Sequence, residues 1–381
     1  MRSGRRHVVF IGGGHTHVDV LKRWRRQPPA GVRVTVVVDR PIAVYSGLVP
    51  DVVAGRSPRS ACEIDVVALV RRLDAARLPA SCVEQAAVAI EADARRITLA
   101  DGSTLPYDLL SIDVGSTVAG LDLEGVREHA LATRPIGRFL DAIETWVEAL
   151  RVIGSPPTLA VVGAGAAGVE LAFCLRRRLD DALAAQQARV VLIDNADRPL
   201  VDGGARARHL VTKALIERDV EFLPHRRVAA VTTDRLIFRR GSELETTGVV
   251  WASGAAPGAL ARASDLQLDA RGFFAVAPTL CAIGRHDVFA TGDCAALIDH
   301  PRAPKAGVLA VRQAPILDAN LRATIAGRPP RRRFRPQRAM LRLLNLGDGT
   351  AIAEKWGLAA RGRWAQRLKD RIDRRFVATF R

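Results

Sequence analysis

The sequence has no C-x-x-C and no close cysteine pair; Cys62, Cys82, Cys174, Cys281 and Cys294 are scattered along it. That argues against a zinc ribbon, a disulfide framework and a dithiol redox centre together. Aromatic residues make up only 5% of the chain, which leaves few platforms on which single-stranded nucleic acid could stack. No apolar run reaches the roughly 18 residues that a membrane-spanning helix needs. The best candidate, TLAVVGAGAAGVELAFCL, is broken by glycines and carries Glu170. The opening MRSGRRHVVFIGGG has the basic head of a secretory signal, but its apolar run is short and ends in glycines and histidines. It reads as a strand retained in a cytoplasmic protein.

What is abundant is arginine. The net charge of +17 raises nucleic acid or an anionic membrane as partners. The basic residues are nearly all Arg, as an arginine-biased genome would produce, so no specific nucleic-acid binding is expected. A chain of 381 residues with 48% hydrophobic content is globular and long enough for two or three domains.

The run HVVFIGGG, the amphipathic HVDVLKRWRR and VRVTVVVD spell strand, turn, helix, strand. ITLA and TLPYDLLSIDVG, joined across Asp101-Gly102, predict a hairpin feeding another buried strand. A helix is expected over 135–152, and Pro156-Pro157 marks a junction. The opening grammar then repeats as TLAVVGAGAAGVELAFCLRRRL and ARVVLIDNADRPL, and GVVWASGAAP, FFAV, DVFATGDCAAL and a helix over about 310–325 follow.

A G-x-G-x-x-G turn serves a dinucleotide because its first glycine permits the bend, its second admits a pyrophosphate, and its third lets the helix pack against the strand. The second copy is complete: Gly163, Gly165 and Gly168 open a helix, and Asp194 ends the next strand, placed for ribose hydroxyls. An acid there favours NADH over NADPH, although Arg198 stands nearby. In the first copy Gly12 and Gly14 are present and Asp39 ends the strand, but His17 takes the third position. With His15 it raises a His-x-His metal site; no third ligand lies near in sequence, so no metal is expected.

Two such units, the WASGAAP strand and a late ATGD segment (Ala290 to Asp293) together resemble the two-dinucleotide-binding flavoproteins, the superfamily of pyridine nucleotide-disulfide oxidoreductases and type II NADH dehydrogenases. GGGHTHV, VYSGLVP, LLSIDVGS and PKAGVLAVRQAP are similar to a branch of NADH dehydrogenase-like flavoproteins found alone or joined to selenide,water dikinase, in which histidine is usual in the third-glycine slot. The C-x-x-x-x-C of the disulfide reductases is absent, so their disulfide activity is not carried over.

The resemblance implies an α/β fold in which an NAD(P)H domain, 126–257, is inserted into a split FAD domain, 1–125 and 258–330, with a C-terminal α/β region over 331–381. It implies FAD on Gly12, Gly14, His17, Asp39, Arg40, Ser46, Gly47, Pro50, Gly115, Gly292 and Asp293, and NADH on Gly163, Gly165, Gly168, Asp194 and Gly254. Tyr45 is expected to line the flavin with Ser46 and Pro50. Hydride would pass from nicotinamide C4 to flavin N5 and electrons onward to an acceptor, with quinone first and a selenium or sulfur compound second. A flavin redox-sensing module is the reading from another class. Lys305 is the candidate cation beside the reduced flavin, with a surface lysine as its alternative, and Glu170 the candidate carboxylate near the nicotinamide, with an ordinary helix-surface acid as its alternative. Trp364, Leu368, Ile372, Phe376 and Phe380 recur every fourth residue among arginines, an apolar stripe that could adsorb to a membrane or dock on the protein itself. The resemblance also leaves a homodimer open.

Overall fold

The computed structural model describes residues 5–150, 156–183, 188–337 and 339–381. Strand β1 (Arg6–Ile11), helix α1 (His15–Arg26) and strand β2 (Val32–Val37) form the first βαβ unit, its strands parallel with Val8 opposite Val34 and Ile11 opposite Val37. β3 (Ala80–Val83) extends the sheet beyond β2, and β4 (Leu109–Ile112) lies on the other side of β1. The expected hairpin pairs Arg96–Leu99 with Thr104–Pro106.

The second unit repeats the plan. Strands β5 (Ala130–Ala132), β6 (Thr158–Val162), β7 (Arg189–Ile193), β8 (Val220–Leu223) and β9 (Gly248–Trp251) form a five-stranded parallel sheet in the order β5-β9-β6-β7-β8. Helix α2 (Ala166–Ala182) connects β6 to β7. The chain then returns: β10 (Val288–Ala290) pairs with β4 and completes the first sheet as β10-β4-β1-β2-β3. Both sheets read as nearly unbroken Val/Ile/Leu runs because parallel strands covered on both faces have no solvent side on which to alternate.

Helix α3 (Gly307–Ile325) closes against α1, where the Thr16 hydroxyl donates to the Ala310 carbonyl and the Trp24 indole N–H to Asp318. The C-terminal region is an antiparallel sheet of β11 (Arg342–Asn345), β12 (Ala351–Lys355) and β13 (Leu358–Gly362), followed by helix α4 (Arg363–Ala378). The helix expected over 135–152 is observed as Ile136–Leu150. Residues 151 and 152 of that expectation, and residues 1–4 of the signal-like head, lie outside the described residues.

The expected single apolar stripe on the last helix is corrected by its geometry. A four-residue step turns about 40° beyond a full circle, so the four of these residues that lie on α4, Trp364 to Phe376, precess by about 120° around it, and Phe380 lies past its end. Trp364 and Ile372 face solvent while Phe376 is half-buried. The face of α4 pressed into the protein is instead Ala365, Gln366, Lys369, Asp373 and Val377.

Candidate functional site

The first glycine turn lies at the carboxyl ends of the parallel strands, where α/β sheets open a crevice. Gly12 has φ +92°, and a Cβ there would strike the Asp113 backbone carbonyl. His17 is completely buried. Its Nδ1–H donates to the Gly12 carbonyl at 2.7 Å, which sets the tautomer, and its Nε2 accepts from the Ser111 hydroxyl at 2.8 Å. Its ring meets Phe10 edge to face at 4.9 Å. Burial drives its pKa down to about 3, against a small opposing effect of the Gly12 bond, so the ring is neutral. The imidazole therefore ties the helix to the strand through hydrogen bonds at the position where glycine would permit bare contact. His15 serves another segment: its Nε2 accepts from the Ser46 N–H at 3.2 Å. The two histidines are thus committed to different partners.

At the same helix end sits Asp113, from the turn after β4. Its Oδ2 accepts the N–H groups of Thr16 at 2.9 Å and His17 at 3.1 Å. A side chain on Gly14 or Gly292 would run into this carboxylate. Beside it, Asp293 of the ATGD segment pairs with Arg134 at 2.6 Å, and Arg134 also donates to Ser116, next to Gly115. Asp39 is exposed at the end of β2, and Arg40 bridges to Asp141 on the helix Ile136–Leu150.

The turn Tyr45–Ser46–Gly47 is sealed by α4. Tyr45 stacks on Phe376 at 4.5 Å between centroids and donates its hydroxyl to Asp373 at 2.9 Å. Lys369 donates to the Gly47 carbonyl and pairs with Asp373 at 2.8 Å. Pro50 is buried in the short helix Val49–Val53 that follows. Close by, Asp51 accepts from the Asn345 amide at 2.9 Å, and Glu170, on α2, accepts from the Asn345 backbone N–H at 2.8 Å. Burial pushes the Glu170 carboxyl up to about 7, only partly opposed by Lys369. For Lys369 burial works to lower the pKa, yet the carboxylates of Glu170 and Asp373 overcome it and hold the ammonium above the usual lysine range. Glu170 is consequently part of a carboxylate–lysine cluster between α2 and the C-terminal region, and its reading as an ordinary surface acid does not hold.

Lys305 is also no surface lysine. Its ammonium donates to the Ala295 carbonyl and lies 3.9 Å from the centre of the Phe273 ring. Desolvation lowers its pKa to about 8. The cysteines are all free and offer no thiolate: burial raises Cys294 to about 12 and Cys62 to about 11.

In the second turn Gly163 has φ +108° and abuts the Ala252 carbonyl, and Gly168 packs against the Gly163 carbonyl. Gly165 and Gly254 face open space. Asp194 accepts the N–H groups of Ala164 and Ala196 and so stands beside the turn, while Arg198 is paired with Asp197.

Residues 6–314 match the pyridine nucleotide-disulphide oxidoreductase family. The chain belongs to this family. Membership implies binding of FAD and NAD(P)H. A NADH dehydrogenase-like protein of Mycobacterium tuberculosis strain H37Rv is 32% identical over 216 residues, which is 55% of this chain and 53% of that protein. The chain thus spans about half the length of this curated relative. Among solved structures of similar fold, the sulfide:quinone oxidoreductase of Aquifex aeolicus superposes with a TM-score of 0.80 at 18% identity, over 99% of this chain and 91% of that one. NDH2 of Plasmodium falciparum, solved in complex with NADH, gives 0.76 at 13% identity, over 99% and 97%.

For a pyridine nucleotide-disulphide oxidoreductase the open Gly165 at the N-terminus of α2 suits the pyrophosphate of one dinucleotide. At the first turn the α1 amides also face the crevice, where they meet the Asp113 carboxyl group. Sequence reasoning missed Asp113, Arg134, Asp51, Asn345, Lys369 and Asp373. Only Asp113 left a local signal, a charge inside the apolar strand end LLSIDVGS.

Proposed function

We propose that the protein is an FAD-dependent NADH:acceptor oxidoreductase that passes its electrons to a quinone. The observation that carries this reading is the pair of parallel five-stranded sheets, each ending in a glycine turn, with the Glu170–Lys369–Asp373 cluster beside them. When bound, the two cofactors supply hydride transfer from nicotinamide C4 to flavin N5. The chain binds and orients. Residues 1–125 and 258–330 form the FAD domain and 126–257 the NADH domain, with Gly12, Gly14, Ser46, Gly47, Gly292 and Asp293 toward FAD, and Gly163, Gly165, Gly168, Asp194 and Gly254 toward NADH. Asp194 disfavours a ribose 2'-phosphate, and Arg198, the arginine close to it in sequence, is paired with Asp197.

Quinone reduction consumes protons as well as electrons. Glu170, with its pKa at about 7, is a carboxyl able to hold one at neutral pH, and Lys369 beside it holds another. The protonated, buried thiols disfavour a sulfur or selenium substrate attacked by cysteine. The last segment supports peripheral membrane contact: Trp356, Leu358, Trp364 and Ile372 are exposed, with Arg363, Arg367 and Arg371 exposed among them. Among the described residues no helix is long and apolar enough to cross a membrane.

An anaerobic titration tests the core of the reading. NADH is expected to bleach the flavin absorbance of the purified protein, and unchanged absorbance overturns it. Reoxidation by a soluble quinone, by selenite and by polysulfide then ranks the acceptors, with quinone expected to be fastest.

A further inference from the structure

One buried acid has no part in the proposed chemistry. Asp113 is 3% exposed, and its carboxylate covers both Gly14 and Gly292. Gly14 is the second glycine of the turn, the position whose missing side chain admits a pyrophosphate, and Gly292 belongs to the ATGD segment. One carboxylate therefore lies across the space that both glycines keep clear, and it draws on the amides of the helix end that would attract the cofactor's phosphates. An ionised carboxylate and a pyrophosphate cannot share so small and dry a space without strong repulsion.

We infer that Asp113 belongs to the FAD site as a neutral carboxylic acid, so that FAD binding above neutral pH takes up one proton. The inference rests on the FAD reading given above. The proton comes from the solvent and adds to the carboxylate. Oδ2 takes both helix amides, which leaves Oδ1, the oxygen facing Gly292, to carry it. Protonation removes the repulsion and turns an acceptor into a donor for a phosphate oxygen.

The state of Asp113 in the cofactor-free chain agrees. Burial pushes its carboxyl up to about 7; the amides of His17 and Thr16 draw it down, and Asp293 adds to the rise. Two histidines and a thiol near it carry no charge near neutrality. His15, lowered by burial to about 4, and His17, at about 3, are neutral. Cys294 keeps its proton, and Asp293 is paired with Arg134. Lys305, lowered to about 8, also titrates in the relevant range, and it must be separated by experiment.

The test is the dissociation constant of FAD, measured by flavin fluorescence on the flavin-stripped full-length chain between pH 6 and 9. Affinity is expected to be level at the acid end and then to weaken by up to about tenfold per pH unit above the Asp113 pKa. Calorimetry at pH 8 in two buffers of different ionisation enthalpy is expected to show uptake of one proton. Asp113→Asn keeps an acceptor for the two amides and cannot ionise, so its affinity should be level with pH and tighter than wild type at pH 8.5. Lys305→Arg removes the other titration and should retain the wild-type slope, which keeps the test decisive even if Asp113→Asn fails to fold. FAD binding that is level with pH in the wild type, or a slope that survives in Asp113→Asn, overturns the inference while leaving the FAD reading intact. Absence of FAD binding at every pH overturns both.

Discussion

His17→Gly restores the glycine that the dinucleotide turn has in its complete form, and it is expected to weaken the protein. The imidazole is wholly buried, bonded at both nitrogens and packed edge-on to Phe10. Deleting it removes those contacts and leaves a cavity between α1 and β1, which costs about 2–3 kcal/mol. The Ser111 hydroxyl and the Gly12 carbonyl lose their partner, a further loss of about 1–2 kcal/mol. Glycine in the first turn of the helix adds about 1 kcal/mol. The sum is about 4–6 kcal/mol, to be read from urea denaturation of the full-length chain followed by far-ultraviolet circular dichroism. His17→Gly with Ser111→Ala, which removes the stranded hydroxyl as well, should recover about 1 kcal/mol. A loss below about 1 kcal/mol in the single variant refutes the argument, because the helix would then have settled onto the strand as it does with a native glycine.

The same histidine makes stability depend on pH. Its folded pKa lies below the ordinary value of 6.5, so the unfolded chain binds the extra proton, and the contribution present above pH 6.5 is lost as pH falls. Between pH 6.5 and 5 the loss from His17 is about 2 kcal/mol, and His17→Gln should lack it; an unchanged pH slope in that variant contradicts the assignment. Lys369→Met leaves Asp373 and Glu170 without their buried cation, with an expected loss of about 3–5 kcal/mol in urea denaturation and an upward shift in the Glu170 pKa, read as a shift of the pH profile of quinone reduction. Asp194→Ser should raise the preference for NADPH relative to NADH by about tenfold in the ratio of kcat/KM values; no change means that this carboxylate does not face the ribose. Replacing Trp356, Leu358, Trp364 and Ile372 together by serine should abolish flotation with anionic liposomes while leaving the circular dichroism spectrum unchanged, and equal flotation removes the membrane surface from that face.

The two glycine turns were legible because their demands are local. A bend at positive φ, a close backbone approach and a helix starting on the next residue all leave marks within a few positions, as Gly163, Gly165 and Gly168 do. The parallel sheets were legible as unbroken apolar runs, while the pairing of Val288–Ala290 with the first sheet joins strands far apart in the chain. The α4 helix was legible as a helix, but its buried face was not. Every-fourth-residue spacing reads as one stripe when in fact it winds round the axis, and Lys369 and Asp373 look like solvent residues until the acids they meet are known.

By itself the sequence determined the two βαβ units, their order along the chain, and the glycines and acids at the strand ends, since these follow from short-range sterics and periodic burial. Tertiary structure alone decided what charge each buried group can carry. Asp113 meets the helix amides of α1 across ninety-seven residues of chain, and Glu170 meets Asn345 across one hundred and seventy-five. A pKa is set by burial and by charges a few ångströms away in space, and no spacing along the chain reports those distances.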